Sequence, residues 1–269
     1  MLIAQAVEGL PPITGGDDLA ALMAPALRAL RWPDGSVGMA EGDVVVVASK
    51  VVAKAERRLV AARTREELEE VIASQTVRVV AERRRPDGST LRVVQNPQGL
   101  VLAAAGVDTS DVPLGTALLL PEDPDASART LRRGLDARLG VRPGVVITDT
   151  VGRPWRQGVA DIAIGAAGVV ALQDHRGRRD GYGRELRVTV IAAADEIAAA
   201  AELVKGKADG RPVAVVRGLG HLVTREDGAG ARVVARPAEE DLFREGAAEA
   251  YARGYADGRA ASPSGQARS

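Results

Sequence analysis

The sequence predicts an α/β protein built on mixed β-sheets with helices packed against them, and three observations predict it. Short apolar runs at 43–48, 145–148 and 213–216 alternate with helical patterns at 19–30, 64–74, 125–139 and 194–204. Hairpin signals interrupt that alternation, above all the Asp87-Gly88 pair between two apolar runs, so a clean doubly wound parallel sheet is not expected. At 269 residues, 46% of them hydrophobic, the chain suffices for one large domain or two small intertwined lobes around a sizeable core.

The opening, GLPPITGGDDLA, is punctuated by Gly and Pro and leads into the helix over 19–30, with Asp17 or Asp18 as its cap. WPDGS at 32–36 is a turn. DVVVVA at 43–48 reads as a strand buried on both faces. Helical character follows over 50–59, and TREELEEVIAS at 64–74 is a second helix. Strands at 77–80 and 91–94 flank the turn RPDGS; 99–105 is another apolar strand and 117–120 a short one. DASARTLRRGLDARL at 125–139 is an amphipathic helix stopped by Gly140. A strand follows at 145–148. The small-residue apolar segment 162–172 is strand or helix; periodicity does not decide between them. Residues 186–191 read as a strand, 194–204 as a helix and 213–216 as a strand. There is no internal repeat. Residues 1–245 are taken as one domain and 246–269 as an extension, disordered after about Tyr255, where the tail is small and polar.

Composition narrows the function. Lys plus Arg and Asp plus Glu both number 36, so the balanced charge argues against nucleic acid as partner. There is no Cys and only two His, His175 and His221, each read as a structural or surface residue; any metal would be a hard cation on oxygen ligands. No signal peptide is evident, and no apolar stretch reaches the roughly 20 residues a membrane span needs. A cytoplasmic protein is therefore expected. The aromatic content, 2%, is too low for a base-stacking surface.

Three strands end in polar clusters. Ser49 and Lys50 follow DVVVVA, and Lys54 lies one helical turn on, so both ammonium groups share a face. A strand ending in Ser-Lys at a helix start suits phosphate, although the glycines of a P-loop are missing and a solvated lysine pair is the plainer reading. GLVLAAAGVDTSD sets Asp108, with Asp111 close behind, past an apolar strand. GVVITDTVGRPWRQG ends its strand at Asp149 and Thr150, then collects Arg153, Trp155 and Arg156. Asp108 and Asp149 at the ends of neighbouring strands suit a shared divalent cation, against the plainer roles of turn or cap residues. Arg153 and Arg156 suit phosphate or carboxylate oxygens. The charged stretch DHRGRRDGYGREL is a solvated loop or a binding lid. The residues alone give an α/β protein equipped for metal–phosphate chemistry.

These segments, in this order, resemble the coenzyme F420-0 γ-glutamyl ligase family. The match runs over about residues 10–244; its most specific part is ITDTVGRPWRQGVADIAIG together with the ADEIA, GKADG and PVAVVRG pieces. It resembles the stand-alone form, without the nitroreductase-like C-terminal half that some members carry. The resemblance implies a two-lobed α/β homodimer that uses GTP, a divalent metal (Mg²⁺ or Mn²⁺) and K⁺ to join L-glutamate to F420-0 through an acyl phosphate. It implies nucleotide contacts at Leu10, Pro11, Pro12, Ile13, Ser49, Lys50 and Lys54, and metal contacts at Asp108, Asp149 and Thr150. The loop that begins Lys205, Gly206, Lys207 matches a further nucleotide- and metal-contacting stretch. Two positions depart: Asp111 stands where the family often has Asn, and Lys207 where some members have a metal-ligating Gln. Catalytic roles fall to Asp108, Asp149, Lys50, Arg153 and Arg156, the two arginines from side-chain chemistry alone. Another nucleotide-dependent carboxylate ligase and a non-catalytic deazaflavin carrier remain the alternatives.

Overall fold

In a computed structural model, which describes residues 1–241, 243 and 245–261, the valine runs form the centre of the fold. The elements in chain order are β1 (Ile3–Ala6), α1 (Leu19–Ala29), β2 (Val44–Ala48), α2 (Ser49–Ala55), β3 (Leu59–Ala61), α3 (Arg65–Ser74), β4 (Arg78–Arg84), β5 (Thr90–Gln95), β6 (Val101–Ala103), β7 (Thr116–Leu118), α4 (Pro124–Leu139), β8 (Gly144–Gly152), β9 (Val159–Ala167), β10 (Gln173–Asp174), β11 (Val190–Ile191), α5 (Ala193–Lys205), β12 (Val213–Arg217) and α6 (Ala247–Ala261). The main sheet has the order β1-β12-β2-β8-β9; β2 and β8 run parallel and the other neighbours antiparallel.

Alternation along these strands feeds two cores. Val45, Val47, Val145, Ile147, Val213 and Val215 pack with Met23 and Leu27 of α1 and Leu131 and Leu135 of α4. Val44, Val46, Val146, Ala214 and Val216 point the other way, onto Ala194, Ile197, Ala198 and Ala201 of α5. Each fully buried valine contributes on the order of 2 kcal/mol. The helix ends follow their caps. Asp18 accepts from Ala21 N, Thr64 from Glu67 N and Asp123 from Ala126 N, and α4 stops at Gly140 in the left-handed region, φ 68°.

Residues 59–118 leave the main sheet and return, forming a two-stranded ladder of β3 with β7 and the antiparallel sheet β4-β5-β6. The helix α3, which carries Glu66, Glu67, Glu69 and Glu70, has no buried residue. Mixed sheets with packed helices are thus the observed class. Among the described residues no helix is long and apolar enough to cross a membrane.

Several boundaries differ from the sequence reading. The helix expected to reach 59 ends at Ala55; Arg57 turns left-handed, φ 59°, and β3 begins at Leu59. The strand expected over 99–105 keeps only Val101–Ala103, because Ala104 and Ala105 adopt φ 51° and 56° in a tight turn. The strand expected at 145–148 continues to Gly152, since β9 pairs with it as far as Gly152 opposite Val159; Asp149 and Thr150 lie within it. Segment 162–172 is strand up to Ala167. Of 186–191 only Val190–Ile191 is strand, paired with Gln173–Asp174, while the charged stretch between them is a solvated hairpin-like loop. The short strand β1 carried no signal that the sequence reading used. The tail expected to be disordered after about Tyr255 continues as α6 through Ala261; 262–269 lie outside the described residues.

Candidate active site

The parallel pair β2 and β8 builds the site. Val47 lies beside Ile147 and Ala48 beside Thr148; from there β2 turns directly into α2, while β8 runs on through Asp149 and Thr150. The carboxyl ends of parallel strands are where α/β sheets hold ligands. Ser49 Oγ donates to Asp149 Oδ1 at 2.9 Å, joining the end of β2 to β8 just past their last paired residues. Lys50 Nζ lies 2.8 Å from Asp108 Oδ2 and donates to Ser110 O and Oγ at 2.7 and 2.8 Å. One turn on, Lys54 Nζ pairs with Asp111 Oδ2 at 3.0 Å. The lysine face and the 108–111 loop, far apart in sequence, are therefore one surface. With seven residues α2 has little helix dipole, so its positive field comes from the two ammonium groups.

The other expected nucleotide segments converge here. Leu10 and Ile13 pack against the core while Pro11 and Pro12 are exposed, and the turn after them is tied to the end of α2 by Gly16 N to Ala55 O, 2.7 Å. The far end of the 205–212 loop reaches the start of α2 through Ala48 N to Pro212 O, 2.9 Å. Glu8, Gly9, Asp209, Gly210 and Arg211 line a groove between the two segments.

On the sheet's opposite face sits a second cluster, in which Thr150, Lys205 and Lys207, named by the sequence reading, meet Thr148, Asp161 and Glu202, which it did not single out. A bulge between Ile147 and Thr148 sets the register so that Thr150 lies opposite Asp161. Thr148 and Thr150 donate to Asp161 Oδ2 and Oδ1 at 2.9 and 2.6 Å. Lys205, 2% exposed, reaches Asp161 Oδ2 and Thr148 Oγ1 at 2.9 Å each and Glu202 Oε2 at 3.2 Å. Lys207 Nζ lies 3.1 Å from Asp161 Oδ1 and 2.7 Å from Glu202 Oε1, and it donates to the Thr150 hydroxyl. Lys205 thus faces inward in a buried ion pair, and Gly206 (φ 68°) turns the chain so that Lys207 comes back over the same carboxylates. An acid inside the otherwise apolar strand ADIAIGAA was the available signal, because a buried charge requires a partner.

Electrostatics separates the carboxylates. Burial pushes Asp149 up to about 6, with Asp161 and Asp108 adding like charge; the donors Ser49 and Thr150 N only partly oppose this. Burial also works against the charge on Asp161, but the Lys205 ammonium and hydrogen bonds from Thr150, Lys205 and Thr148 outweigh it and hold that carboxyl well below the usual range. Asp108 is likewise partly desolvated and is lowered by Lys50 and Ser110. Asp149 is the carboxylate here whose charge is left under-compensated.

Among the described residues no three His, Asp or Glu side chains converge as a ready-made metal set. The donors present are nonetheless hard oxygens. Asp149, held by Ser49 and raised by burial and then by neighbouring negative charge, fits a divalent ion that takes one or two carboxylates and completes its shell with water and phosphate oxygens. Asp108 comes from the turn beyond β6, in a different sheet from β8, and not from a neighbouring strand of the same sheet. Arg153 and Arg156 lie exposed on the loop joining β8 to β9. Arg153 donates to Gln157 O, and among the described residues neither arginine has a carboxylate partner. Trp155 on the same loop touches Phe243, with ring centroids 5.3 Å apart.

Comparison with known proteins finds one family. Residues 9–218 match the family model described as F420-0:Gamma-glutamyl ligase. A relative from Methanopyrus kandleri, named coenzyme F420:L-glutamate ligase, is 43% identical over 248 residues, covering 85% of this chain and 92% of its own. Relatives of the same name from Methanothermobacter thermautotrophicus and Archaeoglobus fulgidus are 39% and 43% identical over 258 and 255 residues. Each covers 88% of this chain, and 97% and 94% of their own lengths.

Proposed function

The chain belongs to the F420-0:gamma-glutamyl ligase family, and we propose that it joins L-glutamate to the deazaflavin precursor F420-0 at the expense of GTP, through an acyl phosphate. The observation that carries this reading is the meeting of Lys50 with Asp108 and of Ser49 with Asp149 at the ends of the parallel strands. Phosphoryl transfer needs little covalent help from a protein, and it needs positive charge and hard ligands placed around the phosphate.

In this reading Lys50 and Lys54 leave Asp108 and Asp111 to hold the nucleotide phosphates, and the 8–13 and 205–212 segments flank the rest of the nucleotide. Asp108 and Asp149 would hold Mg²⁺ or Mn²⁺, which when bound neutralises charge on the transferring group. Thr150 and K⁺ belong to the same expectation, although the Thr150 hydroxyl is engaged by Asp161 and Lys207. Lys50 stabilises the γ-phosphoryl group as a carboxylate oxygen of F420-0 attacks it; the O–P bond forms and GDP leaves. Arg153 and Arg156, without acidic partners among the described residues, orient the acceptor's anionic groups. The glutamate amine then attacks the acyl carbon, a C–N bond forms, the C–O bond to phosphate breaks, and the amine gives up its proton. Ionised Asp149 is best used as a ligand above about pH 6, where it has lost its proton.

The same reading takes the protein as a cytoplasmic homodimer. The test of function is mass spectrometry of F420-0 incubated with protein, GTP, Mn²⁺ and glutamate. A mass gain of one or more glutamyl residues that requires GTP supports the reading. Tight acceptor binding without any amide product would make the protein a carrier.

A further inference from the structure

Two ammonium groups and two carboxylates alternate beside the site. Lys205 touches Asp161 Oδ2 and Glu202 Oε2; Lys207 touches the remaining oxygens of the same carboxylates, Asp161 Oδ1 at 3.1 Å and Glu202 Oε1 at 2.7 Å. The Thr150 hydroxyl is the third oxygen on Lys207 Nζ. The two lysines differ in kind. Lys205 is 2% exposed and supplies the charge that the buried Asp161 needs, whereas the Lys207 side chain is 55% exposed and hangs over the cluster from the loop after α5.

Without Lys207 the cluster holds Asp161, Glu202 and Lys205, a net charge of −1. Three hard oxygens would then converge on one point at the edge of solvent. Oε1 of Glu202 is itself buried, with the Lys207 ammonium as the opposite charge on it. That donor set is one a divalent cation takes: two carboxylate oxygens, a hydroxyl, and water for the rest. An ammonium is a compact charge with three donors on a flexible stem, and here it meets three oxygens.

We propose that Lys207 is a tethered cation in this oxygen-lined seat, so that the chain fills with its own ammonium a position where a divalent metal ion would otherwise bind. The inference rests on the reading of this strand end as a phosphoryl-transfer site only for its purpose: a fixed positive charge on Thr150 and Asp161 that does not depend on dissolved metal. Its geometry stands independently. Lys207 acts here as a positioning and charge-supplying residue, and Asp108 and Asp149 are left as the place for a divalent ion.

The experiment counts Mn²⁺ bound to the full chain, with no substrate, by equilibrium dialysis read by electron spin resonance, alongside melting curves with and without Mn²⁺. Lys207→Ala and Lys207→Gln are expected to bind one more Mn²⁺ per chain than the parent and to gain melting temperature on Mn²⁺ addition. Lys207→Arg, which keeps a cation, is expected to keep the parent's count. Adding Glu202→Gln to Lys207→Ala should remove the acquired ion. Circular dichroism confirms folding, which the exposure of Lys207 favours. The proposal is overturned if Lys207→Ala and Lys207→Gln bind the same number of ions as the parent, or if the acquired ion survives loss of Glu202. Neither outcome depends on whether the protein makes an amide, so the ligase reading and this one fail separately.

Discussion

Asp149 carries the most uneven environment in the site: a buried carboxylate, one hydroxyl donor from Ser49, and like charges at Asp161 and Asp108. Its folded value of about 6 lies above the ordinary 3.8, so folding favours the protonated form. That contribution to stability is full below about pH 4 and is lost as pH rises through about 6; above this the buried charge costs about 3 kcal/mol. Metal-free Asp149→Asn, which cannot ionise, should therefore melt above the parent at about pH 8, with the advantage disappearing near pH 4. Melting curves across that range decide it, and an Asn variant that melts lower at pH 8 contradicts the account. The same variant should lose more than tenfold in turnover, at least about 1.4 kcal/mol of barrier, because an amide is a poor ligand for a hard cation. Lys54 gives a second prediction at this scale. Its partner Asp111 is 77% exposed at the side chain, and such pairs contribute little to stability. Lys54→Ala should weaken GDP binding about tenfold in calorimetry, the scale of a charge-assisted hydrogen bond, with little change in melting. Unchanged GDP affinity in both Lys54→Ala and Lys50→Ala would remove α2 from the nucleotide site.

The elements that position these groups were legible where local chemistry decides them. The four valines 44–47 are β-branched and form a buried strand; Asp18 and Thr64 cap helix starts with side-chain oxygens, and Gly140 ends α4 by its left-handed backbone. What was not legible depends on partners distant in sequence. The last residues of β8 lie beyond its apolar run and are strand because β9 pairs with them, and the 99–105 run breaks at two alanines held left-handed. The contact of β9 with α4 is tight. A methyl group on Gly165 would sit 2.3 Å from Pro124 O, a backbone atom with no rotamer to yield. Gly165→Ala should cost about 1–3 kcal/mol in chemical denaturation, as overpacked sites do. It should also lower activity, because any shift of β9 moves Asp161 away from Thr148 and Thr150. A variant with parental stability would show that α4 and β9 are less closely fitted than described.

At the scale of the molecule, the parallel pair at the sheet's centre gathers segments from residues 8–16, 49–54, 108–111, 149–161 and 202–212 around two strand ends. Ser49, Lys50, Asp108 and Asp149 were readable as polar residues following apolar runs, and the structure brings them together. Asp161 and Glu202 were not read, because their meaning lies in a cross-strand register and a helix end that single-sequence periodicity does not fix. The proposed function makes one chemical claim above the others: the acceptor's carboxylate is phosphorylated before the amine attacks it. F420-0 labelled with ¹⁸O in its free carboxylate, turned over with GTP and L-glutamate, measures this most directly. The account predicts that one labelled oxygen appears in inorganic phosphate for each amide formed, read by mass spectrometry of the phosphate. Amide formation with wholly unlabelled phosphate would contradict it.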